Sequence, residues 1–270
     1  MLLKVISIVV IVLLVFLLGP LWLAVMGKVQ FGQDWRTADR SSTGIAPKAN
    51  RAKEAIVQVY EAKAFNWRGL FAVHTWISVK PQGADHYTNY QVIGWNAYHG
   101  RPIIDISSGA PDRMWFGHEP KVIKTILGKP AQAMIPKIEQ AVKSYPYPKT
   151  YQAWPGPNSN TFIAYVLSHV PELGVAMPAN ALGKDYVPLR QMISQVPSKT
   201  GYRLSLLGVF GLAVSSQEGV QVNLLGLTLG LSWRPWGVIV PGVGLIPEVK
   251  DDHNYGQSTK ATVVESTSQQ

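Results

Sequence analysis

The run Pro155-Gly156-Pro157-Asn158-Ser159-Asn160-Thr161-Phe162 decides how this chain is read. Two prolines and a glycine make a turn, and helical periodicity follows over 159–170 until Pro171 stops it. Ser159 would occupy the first helical turn, where unpaired backbone N–H groups and the macrodipole favour negative charge. An attacking oxygen and an oxyanion both gain from that position. At helical spacing Ser159 shares a face with Phe162, Ile163 and Val166, so it points toward an apolar interior. The same residues carry a plainer meaning: Asn158 or Ser159 as the N-cap.

A hydroxyl is a weak nucleophile unless a base activates it, so the search moves upstream. Residues 55–62 and 70–80 read as strands separated by the turn-like Asn66-Trp67-Arg68-Gly69. In the second strand Phe71, Val73, Thr75, Ile77 and Val79 share one face, with His74 and Trp76 on the other. That makes His74 the leading general base. Residues 87–96 read as a third strand, 121–127 and 131–145 as helices with Pro136 marking a kink or a later start of the second, and 149–154 as a strand.

Farther out, residues 5–26 carry no charge and would form a helix about 33 Å long, enough to cross a bilayer. A cleaved signal peptide would also begin with Lys4 and an apolar run, but Ala24-Val25-Met26 lacks the small-x-small cleavage pattern. Residues 1–26 are therefore read as a single-pass anchor, with the carboxyl side exported. Residues 27–53 read as a basic linker, solvated beside lipid headgroups. Residues 54–200 form the main α+β domain and 201–249 an apolar Gly-rich extension. Within that extension, 204–214 and 220–231 are expected to pair as a β-hairpin. It would be buried on both faces, rest on the membrane, or dock a multipass partner. Residues 250–270 read as a disordered tail.

Composition narrows the function. The chain has 270 residues, a net charge of +9 and no cysteine, which excludes disulfides, thiolate metal sites and cysteine nucleophiles. The six histidines lack ligand spacing, so no metal site is expected, and Gly183-Lys184-Asp185 lacks the flanking residues of a phosphate loop. Aromatics do not interleave with the basic residues, so no nucleic-acid partner is expected, and no cofactor is predicted. Oligomeric state is not legible.

Two resemblances follow from these residues. A strand histidine upstream of Asn-nucleophile-x-x-Phe at a helix start resembles circularly permuted papain-like proteins of the NlpC and lecithin:retinol acyltransferase types, over roughly residues 54–170. Asn158 matches the asparagine of their Asn-Cys-x-His-Phe pattern, Ser159 replaces the cysteine, and Phe162 matches the phenylalanine. Thr161 departs from the histidine, and His74 matches the upstream histidine. The resemblance implies His86 or Asn89 as the third polar residue, with Asn158, Asn160, Trp76 and Trp154 toward substrate. It implies a Ser/His hydrolase or acyltransferase acting on an amide or ester near the membrane, such as peptidoglycan or lipid. With serine in place of a thiolate, it equally implies a catalytically inactive binding or scaffold domain. Separately, residues 34–42, 74–77 and 156–162 are similar to a bacterial inner-membrane family catalogued as a domain of unknown function. That similarity supplies no activity; the short basic tail before a single apolar helix is what points to a periplasmic carboxyl domain.

Overall fold

A computed structural model describes residues 1–248; the expected tail lies outside the described residues. Helix α1 (Leu2–Val25) is uninterrupted and apolar, with a mean hydropathy of 3.1 over its best 18-residue window. At 1.5 Å per residue it is about 36 Å long, sufficient to span a bilayer. Its lower half is open to the surroundings, whereas Phe16, Gly19, Pro20 and Leu23 are covered by the rest of the protein.

The first sheet is antiparallel, with strands β1 (Ile56–Lys63), β2 (Val73–Lys80), β3 (Thr88–Val92), β4 (Ile104–Ser108) and β5 (Lys121–Leu127). Their spatial order is β4-β3-β2-β1-β5. A short helix, α2 (Trp95–Tyr98), follows β3. Helices α3 (Gly128–Lys143) and α4 (Ser159–His169) pack on one face of this sheet, where Val57, Val59, Ile77 and Val79 meet Ile135, Ile138, Phe162 and Ile163. Pro136 lies within α3 on its exposed side.

The opposite face is unusual in being buried yet polar. By strand alternation it presents Gln58, His74, Ser78, Asn89 and Gln91, together with Tyr60 and Trp76. Residues 41–47, part of the expected linker, fold across this face with 41–44 exposed. Ser42 bridges Arg113, and the Asp112 carboxylate accepts from Ser42 Oγ at 2.7 Å and from Ala46 N at 3.1 Å.

Three local expectations are overturned. Residues 121–127 form strand β5, paired with β1 from Ile56↔Leu127 to Glu61↔Lys121. The apolar spacing suits a helix, but Val122, Ile123, Thr125 and Ile126 are β-branched and β1 needs a partner on that edge. Residues 149–154 form no strand, because a turn closes there through Gln152 N to Pro157 O at 2.8 Å.

The third correction concerns the carboxyl region. It is no single hairpin but a seven-stranded antiparallel meander of order β12-β11-β10-β9-β8-β7-β6. Its strands are β6 (Ile193–Gln195), β7 (Gly201–Leu206), β8 (Phe210–Ser215), β9 (Gly219–Leu224), β10 (Leu227–Trp233), β11 (Trp236–Val240) and β12 (Gly244–Ile246). Each long apolar run folds back at a Leu-Gly pair with positive φ at both residues: 54° and 74° at Leu207-Gly208, 55° and 85° at Leu225-Gly226. That geometry makes tight hairpins whose twist matches the flanking strands.

Candidate functional site

The start of α4 is closed rather than open. Asn158 has extended backbone, and its Oδ1 accepts from the N–H groups of Asn160 at 3.0 Å and Thr161 at 3.1 Å. Thr161 Oγ1 in turn accepts from Asn158 N at 3.1 Å, which completes a capping box. Asn158 Nδ2 donates to Ala153 O and Leu182 O. Asn160 takes Thr75 Oγ1 on its carbonyl at 2.9 Å and donates to Val73 O and Leu182 O. Thr161 Oγ1 also donates to Gly183 O at 2.8 Å. Residues 182–183 thus strap the helix mouth, and two N–H groups that an oxyanion would need are spent on the cap. Ser159 is buried, and its hydroxyl has no hydrogen-bond partner among the described residues.

His74 is on the other side of the sheet. The neighbouring Thr75 faces α4, so alternation turns His74 away from it, onto the face of Tyr60 and Trp76. Its ring lies flat under Trp115, with centroids 3.6 Å apart and planes inclined by 7°. Its Nε2 meets Gln91 Oε1 at 3.2 Å, while Gln91 Nε2 donates to the Asp105 carboxylate at 2.9 Å. A carboxylate can only accept, which fixes the Gln91 amide and makes His74 Nε2 the donor. Burial pulls His74 down to about 4 against the opposing effect of the Gln91 hydrogen bond, so the ring is neutral at pH 7.

The structure therefore does not bring Ser159 and His74 together. Nor does it unite the residues implied as a third group: His86 is exposed and pairs with Asp85, and Asn89 accepts from Ser78 Oγ. Among the expected substrate-side residues, Asn158 and Asn160 are consumed by the α4 mouth. Trp154 ties to the second sheet through Nε1 to Leu225 O at 2.9 Å. Trp76 alone reaches a cavity, with its Nε1 donating to Pro111 O at 2.8 Å.

That cavity, of about 350 Å³, opens on the polar face of the first sheet. Asn89, Gln91, Asp105 and Ser107 form its floor, the last with its hydroxyl on Asp105 at 3.0 Å. The wall is aromatic: Trp35, Trp76, Trp95, Trp115 and Phe116. Trp95 lies 6.1 Å from Trp115 at 25°, and Phe116 stands edge-on to both. The Arg40 guanidinium covers Phe116 at 4.4 Å, and Arg113 completes the rim. Amide and carboxylate groups below stacked indoles can hold a polar ligand with one flat apolar surface.

Sequence reasoning missed Gln91, Asp105, Trp95 and Phe116. The period-two pattern of β3 already carried a signal for Gln91, which lies two residues beyond Asn89 on the His74 side. The rest needed the β3–β4 register, in which Gln91 faces Asp105 and Asn89 faces Ser107.

Residues 54–186 match the family described as "Protein of unknown function (DUF3750)". The match covers the first sheet, α3, α4 and the strap over the α4 mouth, and stops short of the second sheet. No curated protein and no solved structure matches the chain.

Proposed function

We propose, from the premise that residues 54–186 belong to a family whose description carries no activity, that this domain is a non-catalytic binding module for a saccharide, held at a membrane by α1. One observation carries the reading: the 350 Å³ cavity joins stacked indoles to a floor of amides and a carboxylate. A sugar ring offers an apolar C–H face to an indole and hydroxyls to Asn89, Gln91 and Asp105, which suits that pairing. Arg40 and Arg113 at the rim favour a sugar bearing an anionic substituent, such as a cell-wall glycan. We accordingly assign the domain to the exported side of a bacterial inner membrane, with Lys4 on the cytoplasmic side.

The closed α4 mouth and the neutral, stacked His74 support binding over hydrolysis or acyl transfer. Packing of α4 across β2, with Asn158 at the helix start, supports a distant kinship with the permuted papain-like architecture in which the working face has moved to the other side of the sheet.

The test is calorimetric titration of the full chain in nanodiscs with soluble cell-wall oligosaccharides. Saturable binding that weakens at least about tenfold in Trp95→Ala and in Asp105→Asn is expected. Absence of binding, or binding indifferent to both substitutions, overturns the proposal. So does turnover of an ester or amide that disappears in Ser159→Ala.

A further inference from the structure

The second sheet is amphipathic in the reverse sense to a water-facing sheet. Its covered face carries Ser205, Ser215, Gln221, Asn223, Thr228 and Ser232, all buried. On that side the Asp185 carboxylate pairs with Lys184 at 2.6 Å and Arg203 at 3.3 Å. Its outer face is apolar along cross-strand rows, with the exposed Gln195 of β6 at the end of the first. In one row Tyr202, Val214, Val220, Leu231, Val238 and Ile246 follow one another in register across six strands. In the next row Ile193, Leu204, Leu212, Val222 and Leu229 do the same. Tyr202, Val214 and Leu212 stand 65%, 53% and 46% exposed.

At about 4.8 Å between strands and 3.3 Å per residue, this face measures roughly 29 by 20 Å, or about 600 Å². That lies at the upper limit of apolar patches on soluble monomers. Polar-in, apolar-out alternation is what strands adopt when lipid lies outside.

Helix α1 indicates what covers it. The helix touches the sheet at the β11–β12 turn, where a Cβ placed on Gly19 would fall 1.9 Å from Pro241 O and 3.1 Å from Val240 Cγ1. Val240 shares the outer face with Trp236 and Val238. Gly19 lies about 9 Å before the end of a helix that is itself about 36 Å long. A centred 30 Å hydrocarbon layer therefore reaches past Gly19, to the level of the sheet. Trp233 and Trp236 face each other in register on the outer side of β10 and β11, as indoles do at a lipid–water boundary.

We propose that the outer face of the β6–β12 sheet is a second membrane contact, seated in the leaflet that α1 exits and continuous with the lipid-facing surface of α1. The occupant is lipid rather than another chain. Seating fixes the height and tilt of the first domain above the bilayer, which a single helix would leave free.

The absence of native cysteine makes every introduced thiol a unique probe site. Full-length Leu212→Cys, Val222→Cys, Val10→Cys and Lys143→Cys carry an environment-sensitive dye in phosphatidylcholine–phosphatidylglycerol nanodiscs. Val10 on α1 serves as the lipid reference and Lys143 on α3 as the aqueous one. Expected is iodide quenching at Leu212 and Val222 about fivefold weaker than at Lys143, with quenching by brominated lipid close to that at Val10. Iodide access at Leu212 and Val222 equal to Lys143 overturns the proposal, and Lys143 itself reports whether the fold is kept. Shielding from iodide without lipid quenching, accompanied by disulfide-linked dimers, assigns the face to a second copy and also overturns it. Loss of lipid quenching at Val10 removes the spanning helix on which the argument rests.

Discussion

Replacing Asn158 with Ala should cost far more than replacing Ser159 with Ala, although Ser159 is the residue the sequence singles out. The Asn158 carbonyl caps two N–H groups, and losing an asparagine cap costs about 0.5–2 kcal/mol. Its amide also serves Ala153 O and Leu182 O. Leu182 O keeps Asn160 Nδ2, but Ala153 O loses its side-chain donor in a part-buried setting, which adds about 1–2 kcal/mol. The total is about 1.5–4 kcal/mol. For a domain of this size that lowers the melting temperature by roughly 3–16 °C. Ser159→Ala removes a hydroxyl without a partner and installs a better helix former, so a shift within about 0.5 kcal/mol is expected. Thermal melts of the two full-length variants in one detergent, followed by near-UV and far-UV circular dichroism, make the comparison. If Ser159→Ala destabilises as much as Asn158→Ala, the assignment of the cap is wrong. The serine would then have a structural or chemical partner that the closed mouth excludes.

Two further predictions concern buried charge. His74 is depressed in the folded state to about 4 from 6.5, so stability is fully present above pH 6.5 and falls as pH drops through that window, by about 3 kcal/mol in all. Glu61 is raised by burial to about 7 and slopes the opposite way between pH 4.5 and 7, so the test is the difference between native and His74→Gln denaturation midpoints; a difference independent of pH refutes it. Asp185→Asn strands two buried cations beneath the second sheet and should cost about 3–5 kcal/mol, as breaking one partner of a buried pair does. A melting temperature unchanged within a few degrees would show that Lys184 and Arg203 find other partners.

Much of the architecture is legible in local chemistry. The apolar stretch before Lys28, the strands around Val57 and Ile77, and the helix opening at Ser159 all follow from patterns of a few residues. The Leu-Gly reversals escaped because a glycine inside an apolar run reads equally as a strand glycine or as a turn. Only positive φ at the preceding leucine distinguishes the two. Strand β5 escaped because its apolar spacing fits both periods, and the free edge of β1 decided between them. The candidate site was half legible. His74 and Trp76 were placed on the correct face, away from the apolar stripe, but that face was joined to Ser159, which alternation along β2 assigns to the other side.

What the sequence determines by itself is whatever depends on near neighbours: an apolar helix long enough for a bilayer, the absence of thiol chemistry, an N-cap at Asn158 or Ser159, and the two faces of β2. What the tertiary structure decided is which faces meet. His74 pairs with Gln91, Gln91 with Asp105, and Trp115 roofs them through antiparallel register and a returning loop. The second sheet shows a polar underside and an apolar exterior only once seven strands are aligned. Alternation within a strand is local, but which side is buried depends on what packs against it. That is settled by contacts between residues far apart in the chain.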